Sequence, residues 1–157
     1  MDPQQLFDDP RLTAAGLLFE AHAGLVARLE PSYRDSGLSS LDLNALMRLT
    51  RSPGRRLRMT DLAGQTRLST SGVTRLVDRL ERNGFVRREA DPTDRRSSYA
   101  VLTEAGAASV AQALPAYLDG VDTWLTGLLD PAQLTALLDA LRVIRDATNP
   151  DATRITG

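Results

Sequence analysis

The residues between Thr60 and Thr103 admit few arrangements. Ser69 precedes a segment, Thr70 to Asn83, whose apolar residues Val73, Leu76, Val77 and Leu80 recur at helical spacing, and Gly84 follows it; a serine cap and a glycine stop bracket one helix of defined length. Thr60 can cap a shorter helix over Asp61 to Arg67, with only a short link between the two. That link forces the second helix to turn sharply against the first, as in a helix-turn-helix. Phe85 to Ala90 and Tyr99 to Leu102 are short and β-prone, and they bracket a tip, Asp91-Pro-Thr-Asp-Arg-Arg, made of turn formers and paired arginines. The expectation is a helix-turn-helix followed by a two-stranded wing.

Helices flank this unit. Leu18, Leu25, Val26 and Leu29 predict one over Leu12 to Tyr33, with Pro31 near its end, and Leu43, Leu46, Met47 and Leu49 predict another over Ser40 to Thr50, broken by Ser52-Pro-Gly-Arg. Thr103 caps a helix expected to bend at Pro115. Asp130, Pro131 and Gln133 open a last helix, with Leu134, Leu137, Leu138, Leu141 and Ile144 on one stripe, and Asn149 to Gly157 reads as a frayed tail. The fold class is therefore mainly α with a small β-wing. These leucine-rich terminal segments hold more apolar surface than one small head can cover. Leu118, Val121, Trp124, Leu125 and the Leu134 to Ile144 stripe are accordingly expected at a dimer interface.

Charge decides what the middle faces. Residues 48–96 hold 13 arginines against 6 acidic residues, net +7, whereas the rest of the chain holds 6 against 14, net −8. A basic middle between acidic ends suggests one surface for a polyanion. On the helix from Thr70 the face opposite the apolar one shows Ser71, Arg75, Asp78 and Arg82, flanked by Ser69, Thr70, Thr74 and Arg79. Small hydroxyl residues at a helix N-terminus allow close approach to a groove and favour phosphate, and Arg75 has the reach for a guanine edge. Asp78 is expected to pair with Arg75 and Arg82, one turn to either side. The plainer reading of this face is solvated charge, and the wing beside it weighs against that.

A winged helix that binds protein instead of DNA is the alternative; protein interfaces deplete charge at their centres, and this face is rich in it. An enzyme has little support: there is one histidine, no cysteine, no glycine-rich phosphate loop and no histidine–acid metal spacing. No metal or cofactor is expected. The longest uncharged run, Ala105 to Leu118, falls short of the roughly 20 apolar residues of a membrane span. The start of the chain lacks a basic and apolar leader, so a cytoplasmic protein with no membrane partner is expected.

The run Leu68-Ser-Thr-Ser-Gly-Val-Thr-Arg-Leu-Val-Asp-Arg-Leu-Glu-Arg-Asn-Gly-Phe-Val-Arg-Arg, with Asp91-Pro-Thr-Asp-Arg-Arg and Val101-Leu-Thr-Glu-Ala-Gly106, resembles the multiple antibiotic resistance regulator (MarR) family of winged helix-turn-helix repressors. The likeness extends more weakly to Gly37-Leu-Ser-Ser-Leu-Asp-Leu-Asn-Ala-Leu-Met-Arg-Leu and to the terminal helices. It implies one MarR-type unit over residues 1–157, with a DNA-binding head at 39–103 and dimerisation helices at 5–36 and 104–148. It also implies a homodimer reading a palindrome and, in many members, a small aromatic or phenolic effector between head and dimer region. By this likeness Thr70, Ser71, Thr74 and Arg75 fall on the major-groove surface. Asp94 and Arg96 match the wing pair whose arginine enters the minor groove; Arg95 is expected along the phosphates, with Asp94 bracing the Arg96 guanidinium. Phe19, His22, Met47 and Tyr117 are candidate effector contacts, against plainer readings as a half-exposed histidine and ordinary core.

Overall fold

The computed structural model describes residues 6–156 of the chain. Its helices and strands run α1 (Pro10–Arg34), α2 (Ser40–Arg51), β1 (Arg56–Arg58), α3 (Met59–Thr66), α4 (Thr70–Arg82), β2 (Val86–Ala90), β3 (Ser98–Leu102), α5 (Glu104–Trp124) and α6 (Pro131–Thr148). Short 3-10 turns lie at Pro53–Arg55, Thr126–Leu128 and Pro150–Thr153. The fold is mainly α with a small antiparallel sheet, as expected.

Local chemistry sets most helix starts. Ser39 and Asp42 form a capping box at α2, Ser69 accepts from the Gly72 amide at 3.1 Å, Thr103 accepts from Gly106 at 3.0 Å, and Asp130 and Gln133 form a second box at α6. The expected cap at Thr60 is not used: α3 begins at Met59, and Arg58 at the cap position makes no side-chain cap bond. The reason lies in β1, which runs straight into α3, so that the pairing of Arg58 with Tyr99 fixes the entry. Strand β1 was not expected. It is three residues long, only Leu57 is buried in it, and it exists by pairing with β3. The sheet order is β1-β3-β2, and the wing register runs from Val86↔Leu102 to Ala90↔Ser98.

The core is centred between α2, α3, α4 and the sheet, where Leu43, Leu46, Leu49, Leu57, Leu62, Leu76, Val77, Leu80 and Val86 are almost fully enclosed, and Leu29, Tyr33, Val110 and Ala113 of α1 and α5 join it. Each such side chain contributes about 1.5–3 kcal/mol relative to exposure. Two glycines are structural requirements. Gly84 ends α4 at φ 75°, and at Gly106 a Cβ would stand 2.2 Å from the Phe85 carbonyl oxygen, so α5 starts in backbone contact with the entry to the wing. Helix α5 is continuous from Glu104 to Trp124 with Pro115 inside it.

Beyond the head, packing thins. Leu29 and Tyr33 are the buried residues of α1, and α6 buries none of its own. Arg28 lies over the Trp124 ring at 4.3 Å, tying α1 to the end of α5. By length and composition α1 is apolar enough to cross a membrane, although Glu20, Arg28 and Glu30 interrupt its sequence so that it holds no long uncharged run.

The tail corrects the expectation of fraying. Pro150–Thr153 forms a 3-10 turn, and the following residues dock on the head: the Gln65 amide donates to the Arg154 carbonyl at 2.7 Å, and the Thr156 amide and hydroxyl donate to Asp61 at 2.7 and 2.9 Å. Asp61 is fully buried, and among the described residues the donors its two oxygens require come from the tail.

Candidate nucleic-acid interface

Helix α3 ends at Arg67, which adopts the left-handed conformation at φ 54° without being glycine. The Leu68 amide then reaches the Ala63 carbonyl at 2.9 Å, and Ser69 starts α4. A non-glycine residue in that conformation costs roughly 1–2 kcal/mol, and the buried α3–α4 packing through Leu62, Val73, Leu76 and Val77 holds it. This tight turn presents one face of α4 to solvent.

On that face Thr70, Ser71, Thr74, Arg75, Asp78 and Arg82 are exposed. The hydroxyls at the start are mutually tied: Ser69 and Ser71 are 3.2 Å apart at Oγ, and Thr74 donates to the Thr70 carbonyl at 2.8 Å. The expected pairing of Asp78 with Arg75 and Arg82 does not form. Asp78 is taken by Arg88 of β2 at 2.7 Å, and the same guanidinium holds Glu81 at 2.6 Å. Partial burial opposes the charge on Arg88, yet its hydrogen bonds to the two carboxylates hold its pKa above the ordinary value. One wing arginine thus neutralises both acids of α4. Arg75 and Arg82 keep no hydrogen bond or ion pair among the described residues.

Arg79 sits differently from its expected place in the DNA-facing set. Its guanidinium reaches Asp42 at 2.6 and 3.0 Å, and Asp42 is buried at the start of α2, where it also caps the Ser39 amide. This joins α4 to α2 and takes Arg79 out of the free cations. Arg88 and Asp42 were not singled out in the sequence because their partners lie on other elements, where helical spacing gives no signal.

At the wing tip, Asp91 is buried and accepts from the Thr93 amide at 2.9 Å and hydroxyl at 2.7 Å; these bonds hold its pKa below the usual carboxylate range. Its second oxygen accepts no hydrogen bond but lies 3.0 Å from Arg58. Asp94 does not brace the Arg96 guanidinium. It accepts from the Arg96 backbone amide at 2.9 Å, and Ser97 closes the turn onto the Asp94 carbonyl at 3.0 Å. The side chains of Arg95 and Arg96 are exposed and without partners among the described residues.

The candidate effector residues separate. Met47 and Tyr117 line a cleft with Val26, Leu29, Tyr33 and Leu43 between α1, α2 and α5, whereas Phe19 and His22 are exposed on α1 outside it. The cleft holds about 90 Å³, less than the roughly 150 Å³ known to admit a benzene ring. Of the interface candidates, Leu118, Trp124, Leu138, Leu141 and Ile144 are exposed in the single chain, and Val121, Leu125, Leu134 and Leu137 are partly covered.

The sequence model of the MarR family matches residues 36–97, from the entry to α2 through the wing tip. Sco3205, a MarR family transcriptional regulator from Streptomyces coelicolor whose crystal structure is in complex with DNA, is similar with a TM-score of 0.80 at 33% identity, over 86% of this chain and 88% of that one. The HTH-type transcriptional repressor YetL of Bacillus subtilis is 28% identical over 135 residues, 82% of this chain and 81% of its own. The HTH-type transcriptional regulator YkoM of the same organism is 41% identical over 81 residues, 49% of this chain, a match that spans about half of YkoM, 51% of its length.

Proposed function

The chain belongs to the MarR family of DNA-binding transcriptional regulators, and from that premise we propose that it is a cytoplasmic repressor that binds palindromic operators as a homodimer. It is not an enzyme. The observation that carries the proposal is the sorting of charge on α4: Arg88 captures Asp78 and Glu81, while Arg75 and Arg82 on the exposed face stay unpaired among the described residues. A surface arranged for solubility alone has no need to remove its acids in this way. Arg95 and Arg96 extend the cationic surface to the wing tip, so phosphate neutralisation sets affinity and the few groove contacts of Ser69, Thr70, Ser71, Thr74 and Arg75 set preference.

In this reading residues 39–103 are the head, and residues 5–36 with 104–148 form the dimer region. The exposed apolar faces of α1, the end of α5, and α6 support it, since a second copy covers what one chain leaves open. The same copy, and not lipid, occupies the apolar side of α1. Two heads must then meet successive major grooves about 34–36 Å apart. An aromatic or phenolic effector between α1, α2 and α5 has to part those helices to enter, and that movement is what changes the spacing of the heads. Repression, rather than activation, draws support from the likeness to YetL.

The test is fluorescence anisotropy on labelled duplexes from the region upstream of its own gene. Saturable binding that weakens steeply with salt and exceeds that to a scrambled duplex is expected. Equal affinity for both duplexes, or none, overturns the reading and favours a protein-binding winged helix.

A further inference from the structure

A second cleft, of about 420 Å³, adjoins the first along α2, sharing Asn44 and Met47 with it, and is walled by α2, α3, α6 and the docked tail. Small-molecule sites run from about 300 to 1,000 Å³. Asn44, Met47, Arg48 and Arg51 line it from one face of α2, the spacing of three and four residues that stacks side chains along a helix. Arg145 faces them from α6, and Ala152, Thr153 and Ile155 close the far side.

Arg48 is the unusual group. It is partly buried, and each of its hydrogen bonds goes to a neutral acceptor: Asn44 Oδ1 at 2.6 Å, the Ala152 carbonyl at 2.6 Å and Gln65 Oε1 at 3.3 Å. No carboxylate lines the cleft, and Arg48 makes no ion pair among the described residues. Elsewhere the chain gives its partly buried arginines an acid, as in Arg58 with Asp91, Arg79 with Asp42 and Arg88 with Asp78. Desolvation, and then the like charge of Arg51, hold the pKa of Arg48 below its ordinary value. An uncompensated charge at such a position is costly, and an anion relieves it. Arg51 has no partner among the described residues, and Arg145 pairs only with the exposed Asp146 next to it in the chain.

We propose that this cleft binds a small organic carboxylate, its carboxylate held by Arg48 and Arg51, its apolar body against Met47 and Ile155, and Arg145 closing the cationic wall. Guanidinium groups match a planar carboxylate through paired hydrogen bonds, and the apolar lining selects an organic body over bare phosphate. A ligand here joins the head to α6 across the tail. Its effect on operator binding rests on the repressor reading; its binding does not.

Titration calorimetry of the full chain with benzoate, octanoate, inorganic phosphate and the neutral benzamide tests this. One carboxylate per chain is expected, with no heat from benzamide, and a roughly tenfold or greater loss in Arg48→Gln and Arg51→Gln. Arg48→Gln also removes a tail contact, so the exposed Arg51→Gln, checked for fold by circular dichroism, is the decisive variant. Four results overturn the proposal: no saturable carboxylate binding, binding unchanged in Arg51→Gln, phosphate bound in place of the carboxylates, or binding lost only in Tyr117→Ala, which places the ligand in the other cleft. Failure of the ligand-free chain to bind operator, with carboxylate binding intact, counts against the repressor reading alone.

Discussion

Arg75 and Arg79 sit one helical turn apart on α4 and do different work. Arg75 is exposed and unpaired among the described residues, whereas Arg79 reaches across to the buried Asp42. Arg75→Ala should therefore leave thermal stability unchanged and weaken operator binding by about 1–3 kcal/mol, flattening preference at one base position per half-site. A uniform loss over every duplex tested would make it a phosphate contact. Arg79→Ala should do the reverse in a denaturant titration. It strands the Asp42 carboxylate and costs about 1–3 kcal/mol of stability, less than a fully buried pair because the Arg79 side chain is 39% exposed. The sequence could not distinguish these two residues. Periodicity places both beside the exposed face, and the feature that separates them is an acid 37 residues away in the chain.

At the scale of elements, what is written locally was readable: the caps at Ser69, Thr103 and Asp130, the stop at Gly84, and the two wing strands all follow from residues within a turn or two of their effect. Strand β1 and the docked tail were not, because each is defined by partners far away, β3 for one and Asp61 and Gln65 for the other. The junction of wing and α5 gives a sharp test. Gly106→Ala places a methyl against the Phe85 carbonyl, a backbone atom that cannot swing aside, so a loss of about 1–3 kcal/mol in unfolding free energy is expected. Wild-type stability in that variant would mean the contact relaxes freely. The wing tip itself is stiffened by the turns of Asp91 and Asp94, which aim Arg96 through its backbone. With Arg96 in a narrow A·T minor groove, Arg96→Ala should lose much affinity on operators with A·T flanks and little on G·C flanks. The same affinity as wild type on both would show that the wing does not touch DNA.

Across the whole molecule the enclosed core gives way to terminal helix faces that a single chain leaves half dressed. Light scattering at micromolar concentration should report about twice the 17.1 kDa of the chain, and a persistent monomer would remove the palindrome along with the dimer. The apolar stripes that call for a partner were legible in the sequence, as was the basic middle. The division of that basic surface into free and captive arginines required the fold. Helix α6 buries no residue within its own chain, and this has a consequence for abundance. In the proposed dimer a second copy completes the shelter of that apolar side, so melting temperature should climb with total protein, each tenfold dilution removing about 1.4 kcal/mol from the dimer. In a dividing cell the regulator would then measure its own dilution, loosening its hold on DNA as its copies thin out before any small molecule arrives.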